Sequence, residues 1–276
     1  SIKYGDFKMD VSLNPLLDNE SNQINMNILE VAFARIDREW NMKNVLSPFI
    51  RLYYVQSGEA YIEYKKRTVK LEGGNIYLIP SNLEFSYWCD SSMYKLYAHI
   101  TLPGRDNYDL FSNYKDCIIL SGQQKRIDTI VEEWNRGDIL SSISIKTTLY
   151  QTVLEALLQE NISLGAIQEY SELVKQAIQI IKNNPHLSLT APRLAELLFV
   201  SPSQLQKKFR KEMKISLGQY LNEQVMFSAV NLLRVPDRSI KEISDTLGFC
   251  DQFHFSRRFC EYYGMPPSQY RKSILF

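Results

Sequence analysis

The chain has 276 residues, of which 45% are hydrophobic and 23% are charged, as in folded proteins with room for two domains. No run approaches the ~20 apolar residues of a membrane span, and no signal peptide opens the chain, so we expect a cytoplasmic protein without a membrane partner. The four cysteines and three histidines lack metal-ligand spacing. This spacing favours free thiols in a reducing compartment and predicts no metal and no other cofactor.

Charge is divided unequally along the chain. From 171 onward there are 15 Lys and Arg against 9 Asp and Glu, a net charge of +6, whereas the preceding part has 17 against 22, a net charge of −5. A basic segment behind an acidic one indicates that only the C-terminal part meets a polyanion, although two domains can also differ in charge by chance.

Between 28 and 102, short runs of β-branched and aromatic residues alternate with turn signals, which predicts a small sandwich or barrel. The predicted strands are ILEVAFARI, FIRLYYVQ, EAYIEYKK, RTVKL, NIYLIP and YKLYAHITL. Turns are predicted at Ser57-Gly58, Gly73-Gly74, Pro80 to Asn82 and Cys89 to Ser92. Six or more strands can close around an interior lined by alternate residues, many of them aromatic.

Beyond Ser121 the apolar spacing becomes helical, and two helices are predicted. The face of the first consists of Ile127, Ile130, Val131 and Trp134. The second starts at Ser141 or Ser142, and its apolar stripe consists of Ile145, Leu149, Val153, Leu154, Leu157 and Leu158. Both helices can simply cover the sheet. Alternatively, the second helix also pairs with its copy in a homodimer, with Leu149 and Val153 as the contact residues.

The segment 163–170 lacks periodicity and is predicted to link an N-terminal domain, 1–162, to an all-helical domain, 171–276. In the helical part, Ser201 followed by Pro202 predicts a helix start. A further helix is predicted over 217–233.

Near the C-terminus the sequence predicts a helix-turn-helix. Ser239 and Glu242 have the spacing of a capping box, and Gly248 follows the last apolar position of that helix, where a sharp turn needs positive φ. Asp251 can cap the second helix, which places polar and basic side chains outside and can enter a DNA major groove.

This unit has an earlier copy, because 201–220 matches 251–270 at a shift of 50 residues. In each copy an apolar pair falls on the inner face, namely Leu205 with Phe209 and Phe255 with Phe259. Two similar units on one connecting helix can read successive major grooves, ~34 Å apart. A helical protein-interaction bundle and a basic core without DNA affinity are the alternatives.

The run GFCDQFHFSRRFCEYYGMPPSQYR resembles the signature of the AraC/XylS family of bacterial transcription regulators. The matching positions are Gly248, Phe249, Asp251, Phe255, Arg257, Phe259, Gly264, Pro267, Tyr270 and Arg271. The resemblance covers roughly the last hundred residues. It implies double-stranded DNA and RNA polymerase as partners and, usually, transcription activation.

The earlier runs LYYVQSGEAYIEY and LEGGNIYLIPSN are similar to the cupin-type effector and dimerisation domain of many members. The implied fold class is α+β, with an N-terminal cupin-like β-barrel or sandwich under two covering helices and a C-terminal all-α domain with two helix-turn-helix units. Three positions depart from the family pattern, namely Lys214, Cys250 and Pro266. Since the ligand pattern of metal-binding cupins is missing, no metal and no enzyme activity are implied.

The outward faces of the two second helices supply the candidate DNA contacts. Base-facing candidates are Ser203, Gln206, Lys207, Gln252, Ser256 and Arg257. Candidates for the DNA backbone are Arg210, Lys211, His254 and Arg258. Arg257 is the leading base contact, because Arg to guanine is the commonest specific pairing.

The interior of the barrel is the candidate effector site, with Arg38, Tyr87, Tyr97 and His99 as candidate pocket residues. Aromatic rings stack on sugar faces and Arg holds carboxylates or hydroxyls, so a sugar-like effector is the leading hypothesis. A filled barrel core is the alternative for these residues. For the whole protein, a DNA-binding regulator without an effector and a cupin enzyme with a helical accessory domain stay open.

Overall fold

The computed structural model describes residues 3–4, 7–8, 24–104, 108–162 and 170–274, so that most of the predicted linker lies outside the described residues. The strands are β1 (Lys3–Tyr4), β2 (Phe7–Lys8), β3 (Asn27–Ile36), β4 (Asn41–Val45), β5 (Ile50–Tyr64), β6 (Arg67–Glu72), β7 (Ile76–Ile79), β8 (Phe85–Trp88), β9 (Met93–Thr101) and β10 (Ile118–Leu120). The helices are α1 (Gln124–Arg136), α2 (Ile139–Gln159), α3 (Glu172–Asn183), α4 (Ala191–Leu197), α5 (Pro202–Met213), α6 (Leu217–Leu233), α7 (Ile240–Leu247), α8 (Gln252–Tyr263) and α9 (Pro267–Ile274).

The predicted α+β class is confirmed, since antiparallel strands occupy the N-terminal part and helices the C-terminal part. Among the described residues, no helix is both long and apolar enough to cross a membrane.

The long strand β5 belongs to two layers. Its first half pairs with β7 and β9, and its second half pairs with β6 and β8. The two strands predicted on either side of Ser57-Gly58 are therefore one strand, and the turn predicted there is wrong. The register against β9 shifts between Val55 and Ser57, and Gly58 has a φ of +82°. A bulge thus bends β5 from one layer into the other without breaking it.

Side chains alternate along β9, as they must in a pleated strand. Leu96, Ala98 and Ile100 point to the outer face, where the apolar stripes of α1 and α2 cover them. Lys95, Tyr97 and His99 are on the opposite face and point into the interior between the layers. The two covering helices that were predicted are confirmed.

The buried stripe of α2 corrects the predicted dimer contact. Leu149 and Val153 pack against the sheet and are fully or almost fully buried. The prediction that these two side chains touch a second copy is wrong, because the protein's own core already covers them. Leu154 and Leu158, predicted for the same stripe, are instead 57% and 68% exposed.

In the helical part, the predicted capping residues form the local hydrogen bonds at the helix ends. Ser201 Oγ accepts from the backbone N–H of Gln204, and Ser239 with Glu242 forms the complete capping box. Gly248 has a φ of +79°, and a Cβ there would lie 2.2 Å from the ring of His186. The turn of the second unit therefore requires glycine for both its backbone and its packing.

The strand layers and the last four helices share one hydrophobic cluster. At its edge, the Tyr270 hydroxyl of α9 donates to the carbonyl of Leu46 at 2.6 Å. The guanidinium of Arg234, which follows α6, reaches the carboxylate of Glu30 in β3 at 3.1 Å. The helix α6, which connects the two helix-turn-helix units, is thereby held directly on the interior of the strand layers.

Candidate DNA-reading helices and effector site

The second candidate reading helix is α8, which is fixed at its start by Asp251. The Asp251 carboxylate accepts from the backbone N–H groups of Phe253 and His254 at 2.8 and 2.7 Å. Phe255 and Phe259 are fully buried beneath the helix. The packing of this pair determines which side chains of α8 face solvent.

Of the three predicted base contacts in α8, Gln252 and Arg257 are exposed. Ser256 is half-buried, and its hydroxyl donates to the Gln252 carbonyl at 2.7 Å, so its oxygen can only accept a further hydrogen bond. Phe253 is 76% exposed beside Gln252. Sequence reasoning missed this ring because aromatic residues are usually buried, although its offset from Phe255 places it off the buried face.

The two predicted backbone contacts of α8 already have partners within the protein. His254 Nδ1 lies 3.2 Å from the thiol of Cys250. Arg258 donates to the Asn222 side chain of α6 at 2.8 Å and lies 3.6 Å from Glu261. Arg258 therefore ties α8 to α6, the helix that connects the two units.

The first candidate reading helix is α5, and its predicted contact residues are exposed. They are Ser203, Gln206, Lys207, Arg210 and Lys211. Phe199 stands in the turn before this helix, 49 residues ahead of Gly248, with a φ of +55° and 96% exposure. The first unit thus makes its turn with an aromatic residue in a conformation that favours glycine.

The interior brings three of the four predicted effector residues together. Tyr87 stacks on Trp40 at 4.2 Å between ring centroids, and Tyr97 lies 5.0 Å from the ring of His99. The prediction that Arg38 lines this interior is wrong. Arg38 lies in the exposed turn after β3, and its Nε donates to the Asp90 carbonyl at 2.9 Å.

Glu30 connects the interior to the helical part. Its carboxylate accepts from the Tyr97 hydroxyl at 2.8 Å and lies 3.3 Å from His99 Nδ1 and 3.1 Å from Arg234. Burial alone would raise the pKa of Glu30, but the hydrogen bonds from His99 and Tyr97 outweigh it and hold that pKa at about 2. Burial lowers the pKa of His99 to about 3, so its ring is neutral at pH 7.

Two basic residues of the interior were missed by sequence reasoning. Arg51 is almost fully buried, donates to Ser47 Oγ at 2.9 Å, and places Nη1 3.4 Å from His99 Nε2. Lys95 is fully buried, with its Nζ 3.6 Å from the centroid of the Tyr53 ring. The alternation of β5 and β9 could have found both, since Arg51 is two residues from Tyr53 and Lys95 two residues from Tyr97.

Comparison with known families matches both parts of the chain. Residues 194–273 match a family described as "Helix-turn-helix domain", and residues 28–107 match one described as "AraC-like ligand binding domain". The two matches together span more than half of the chain, and each covers the elements that carry the corresponding candidate site.

Relatives and solved structures agree with these matches. The chain is 26% identical to the Msm operon regulatory protein of Streptococcus mutans, over 95% of this chain and 98% of that protein. It is 27% identical to the lactose operon transcription activator of Staphylococcus xylosus, over 80% and 82%. The crystal structure of ToxT from Vibrio cholerae shares the fold, with a TM-score of 0.57 and 16% identity over 88% of this chain and 98% of that one.

Proposed function

Because the chain belongs to the AraC family of transcription regulators, we propose that it activates transcription at specific DNA sites when a small molecule binds inside its strand layers. The observation that carries this proposal is the contact of Glu30 with both parts of the chain. Glu30 touches Tyr97 and His99 in the interior and Arg234 at the end of the connecting helix. An effector that moves Tyr97 or His99 therefore changes the contacts of Glu30, and with them the ion pair between Glu30 and Arg234.

DNA reading is divided between the two exposed helix faces. On α5, Gln206 and Lys207 suit adenine and guanine edges, with Ser203 beside them. On α8 the corresponding residues are Gln252, Ser256 and Arg257. Arg210, Lys211, His254 and Arg258 contact phosphates, which fixes the position of the protein on DNA without reading sequence.

Phe253 adds an apolar contact to the face of α8. Its exposed ring is adjacent to Gln252, and a thymine methyl group is the apolar feature of the major groove. We assign Phe253 to such a methyl group. This contact would discriminate thymine from cytosine at one position of the half-site.

The effector is a sugar or a sugar derivative. Two relatives of this chain are regulators of the Msm and lactose operons, and the interior offers aromatic rings at Trp40, Tyr87 and Tyr97 for the face of a sugar ring. Its hydroxyl groups can replace Tyr97 or His99 as hydrogen-bond partners of Glu30. Sites of this kind combine apolar walls with a few directed polar groups.

A separate open cleft of about 1150 Å³ lies between the strand layers and the helical part, with Tyr108, Phe227 and Tyr262 among its lining residues. We place the effector in the interior instead. Buried polar atoms without a hydrogen-bond partner occur in the interior, at Trp40 Nε1, Arg51 Nε and Lys95 Nζ. Such atoms call for a ligand, whereas the cleft is open to water.

The assembly that performs this function is a homodimer in the cytoplasm that recruits RNA polymerase. Residues 1–162 form the effector and dimerisation domain, 163–170 the linker and 171–276 the DNA-binding domain. The exposed apolar face of α2 supports the dimer, because Ile143, Leu154 and Leu158 are unburied there. Regulation of transcription is the whole activity proposed, with no enzyme reaction.

Selection of duplexes from a random pool by the full chain tests the proposal. We expect enrichment of two half-sites about one helical turn apart. A panel of sugars and sugar derivatives should contain a compound that changes affinity for the selected duplex by about 5- to 150-fold. If the selection enriches no sequence, the proposed sequence-specific DNA binding is contradicted. If it enriches a site but no compound changes the affinity for that site, the proposed effector is contradicted.

A further inference from the structure

We propose that the effector is acidic, namely a phosphorylated or carboxylated sugar whose anionic group binds at Lys95. The inference rests on the proposed function, since it names the chemical class of the ligand for the interior site. The interior is rich in hydrogen-bond donors without a partner, at Trp40 Nε1, Arg51 Nε and Lys95 Nζ, and poor in acceptors.

Lys95 is enclosed by aromatic rings. Its Nζ lies 4.1 Å from the ring centroid of Trp40, 3.6 Å from that of Tyr53 and 5.7 Å from that of Tyr97. The side chain is fully buried, and its Nζ has no hydrogen-bond partner among the described residues. Rings partly stabilise an ammonium group, but they accept none of its three protons in a normal hydrogen bond.

Arg51 brings a second basic side chain to the same face. In the pairing of β5 with β9, Arg51 stands opposite His99, Tyr53 opposite Tyr97 and Val55 opposite Lys95. Tyr53 therefore separates the two cationic side chains. Arg51 Nε also has no partner within the described part of the chain, so the site has free donors on both sides of Tyr53.

No carboxylate of the described residues pairs with either cation. Glu30 is the acidic residue of this face, and its oxygens are taken by Tyr97, His99 and Arg234. The ion pairs of the structure include neither Arg51 nor Lys95 among the residues described. A ligand with an anionic group at Lys95 and further oxygens at Arg51 would balance both charge and hydrogen bonds.

The same geometry couples binding of an acid to uptake of a proton by Lys95. Burial, followed by the nearby charge of Arg51, lowers the pKa of Lys95 well below its ordinary value. Its neighbours on the packed elements are Trp40 before β4, Arg51 and Tyr53 of β5, Cys89 after β8 and Tyr97 of β9. None of these is an anion at pH 7, so an arriving acid supplies the missing negative charge and Lys95 takes up a proton.

Calorimetric titration of the full chain with matched sugars tests the inference. The probes are glucose 6-phosphate, galactose 6-phosphate, glucuronate and galacturonate, each against its neutral parent hexose. We expect at least one acid to bind more than tenfold tighter than its parent, with proton uptake seen as a dependence of the heat on the buffer. The phosphate and carboxylate arms identify which acid group fits.

Two variants separate a ligand contact from a structural role. Lys95→Met should abolish the preference for the acid and raise the melting temperature of the ligand-free protein, because it removes a buried amine that has no hydrogen-bond partner among the described residues. Lys43→Met changes an exposed lysine of β4 and should leave binding as in the parent chain.

Equal binding of acid and parent hexose, or an unchanged acid preference in Lys95→Met, would overturn the inference while leaving a sugar-responsive regulator in place. No binding by any probe would overturn it as well. Sequence-specific DNA binding, measured on the same samples, shows separately whether the regulator function stands.

Discussion

The guanidinium of Arg234 lies 3.1 Å from the carboxylate of Glu30, although the two residues are separated by 204 positions in the sequence. Arg234 follows the last residue of α6, the helix that connects the two reading units, and Glu30 faces the interior of the strand layers. Because Tyr97 also donates to this carboxylate, one hydrogen-bonded chain runs from the interior to the connecting helix.

Breaking this chain should separate effector binding from DNA binding. In Arg234→Met we expect effector affinity to persist, whereas the effector-induced change in DNA affinity falls from about 5- to 150-fold toward onefold. Fluorescence anisotropy with the selected duplex, with and without effector, measures the change. Arg136→Met, which removes an exposed pair with Glu133, is the matched control. A full effector response in Arg234→Met would show that the signal takes another route.

The Glu30 and His99 pair predicts how stability depends on pH. Both folded pKa values, about 2 for Glu30 and about 3 for His99, lie below the ordinary values of 4.5 and 6.5. Each group therefore adds stability that is present above its ordinary pKa and lost as pH falls through its folded pKa. In urea unfolding, the contribution of these two groups to stability should decrease below about pH 6.5, and more steeply below about pH 4.5. Asp109, whose pKa burial raises to about 6, contributes in the opposite direction, so the contribution of the pair is measured by comparison with a variant.

The variant His99→Gln tests whether His99 causes the loss of stability between about pH 6.5 and 4.5, because glutamine does not titrate. In this variant the loss between pH 6.5 and 4.5 should be shallower, while the loss below pH 4.5 should remain. The same slope in both proteins would place the titration elsewhere. The comparison requires only the difference between the two pH profiles, so a uniform loss of stability in the variant does not affect it.

The sequence predicts the helical part more completely than the strands, for physical reasons that particular residues show. Ser201, Ser239 and Gly248 are local signals, since caps and turns depend on neighbours in the chain. The strand β4, with the sequence NMKNV, has no apolar alternation and forms because β8 pairs with it. Such pairing depends on tertiary contacts that the sequence of one strand does not contain.

The residues of the interior site also differ in whether the sequence predicts them. Tyr97 and His99 could be placed in the interior because they alternate along the predicted strand YKLYAHITL, whereas Tyr87 lies in β8, which was not among the predicted strands. Lys95 and Arg51 were missed because Lys and Arg are almost never fully buried. Their burial follows from strand register. Once one face of the sheet packs on α1 and α2, the alternate side chains of β5 and β9 must point into the interior.

The two reading units offer an internal comparison of backbone strain. Lys214 and Gly264 end α5 and α8 at equivalent positions, with φ values of +63° and +75°. Lys214→Gly should stabilise the protein by about 0.5–1 kcal/mol, since its Cβ disfavours this conformation. Gly264→Ala should destabilise it by about 1 kcal/mol, through φ alone, because no atom lies within 4 Å of the added Cβ. Urea midpoints measure both, and the same sign of change in both variants would contradict the argument.

The exposed ring of Phe253 predicts a specificity effect without a change of charge. Phe253→Ala should weaken binding to the selected site by about 1 kcal/mol or more and reduce preference for thymine at one position. The slope of affinity against salt should stay constant, since no phosphate contact is lost. Repeating the selection with the variant measures the preference. An unchanged base profile would mean that Phe253 points away from DNA in the complex.

Arg257 and Arg210 separate base reading from phosphate binding within one protein. Both are exposed arginines on reading helices, one in α8 and one in the last turn of α5. Arg257→Ala should cost about 1–3 kcal/mol on the selected duplex and relax specificity at a single guanine, because the lost contact is bidentate to one base. Arg210→Ala should weaken all duplexes almost uniformly and reduce the salt slope by about one. Binding of both variants to the selected and to a scrambled duplex at several salt concentrations distinguishes the roles. A uniform loss for Arg257→Ala would assign its guanidinium to a phosphate and leave Gln252 as the principal base contact of α8.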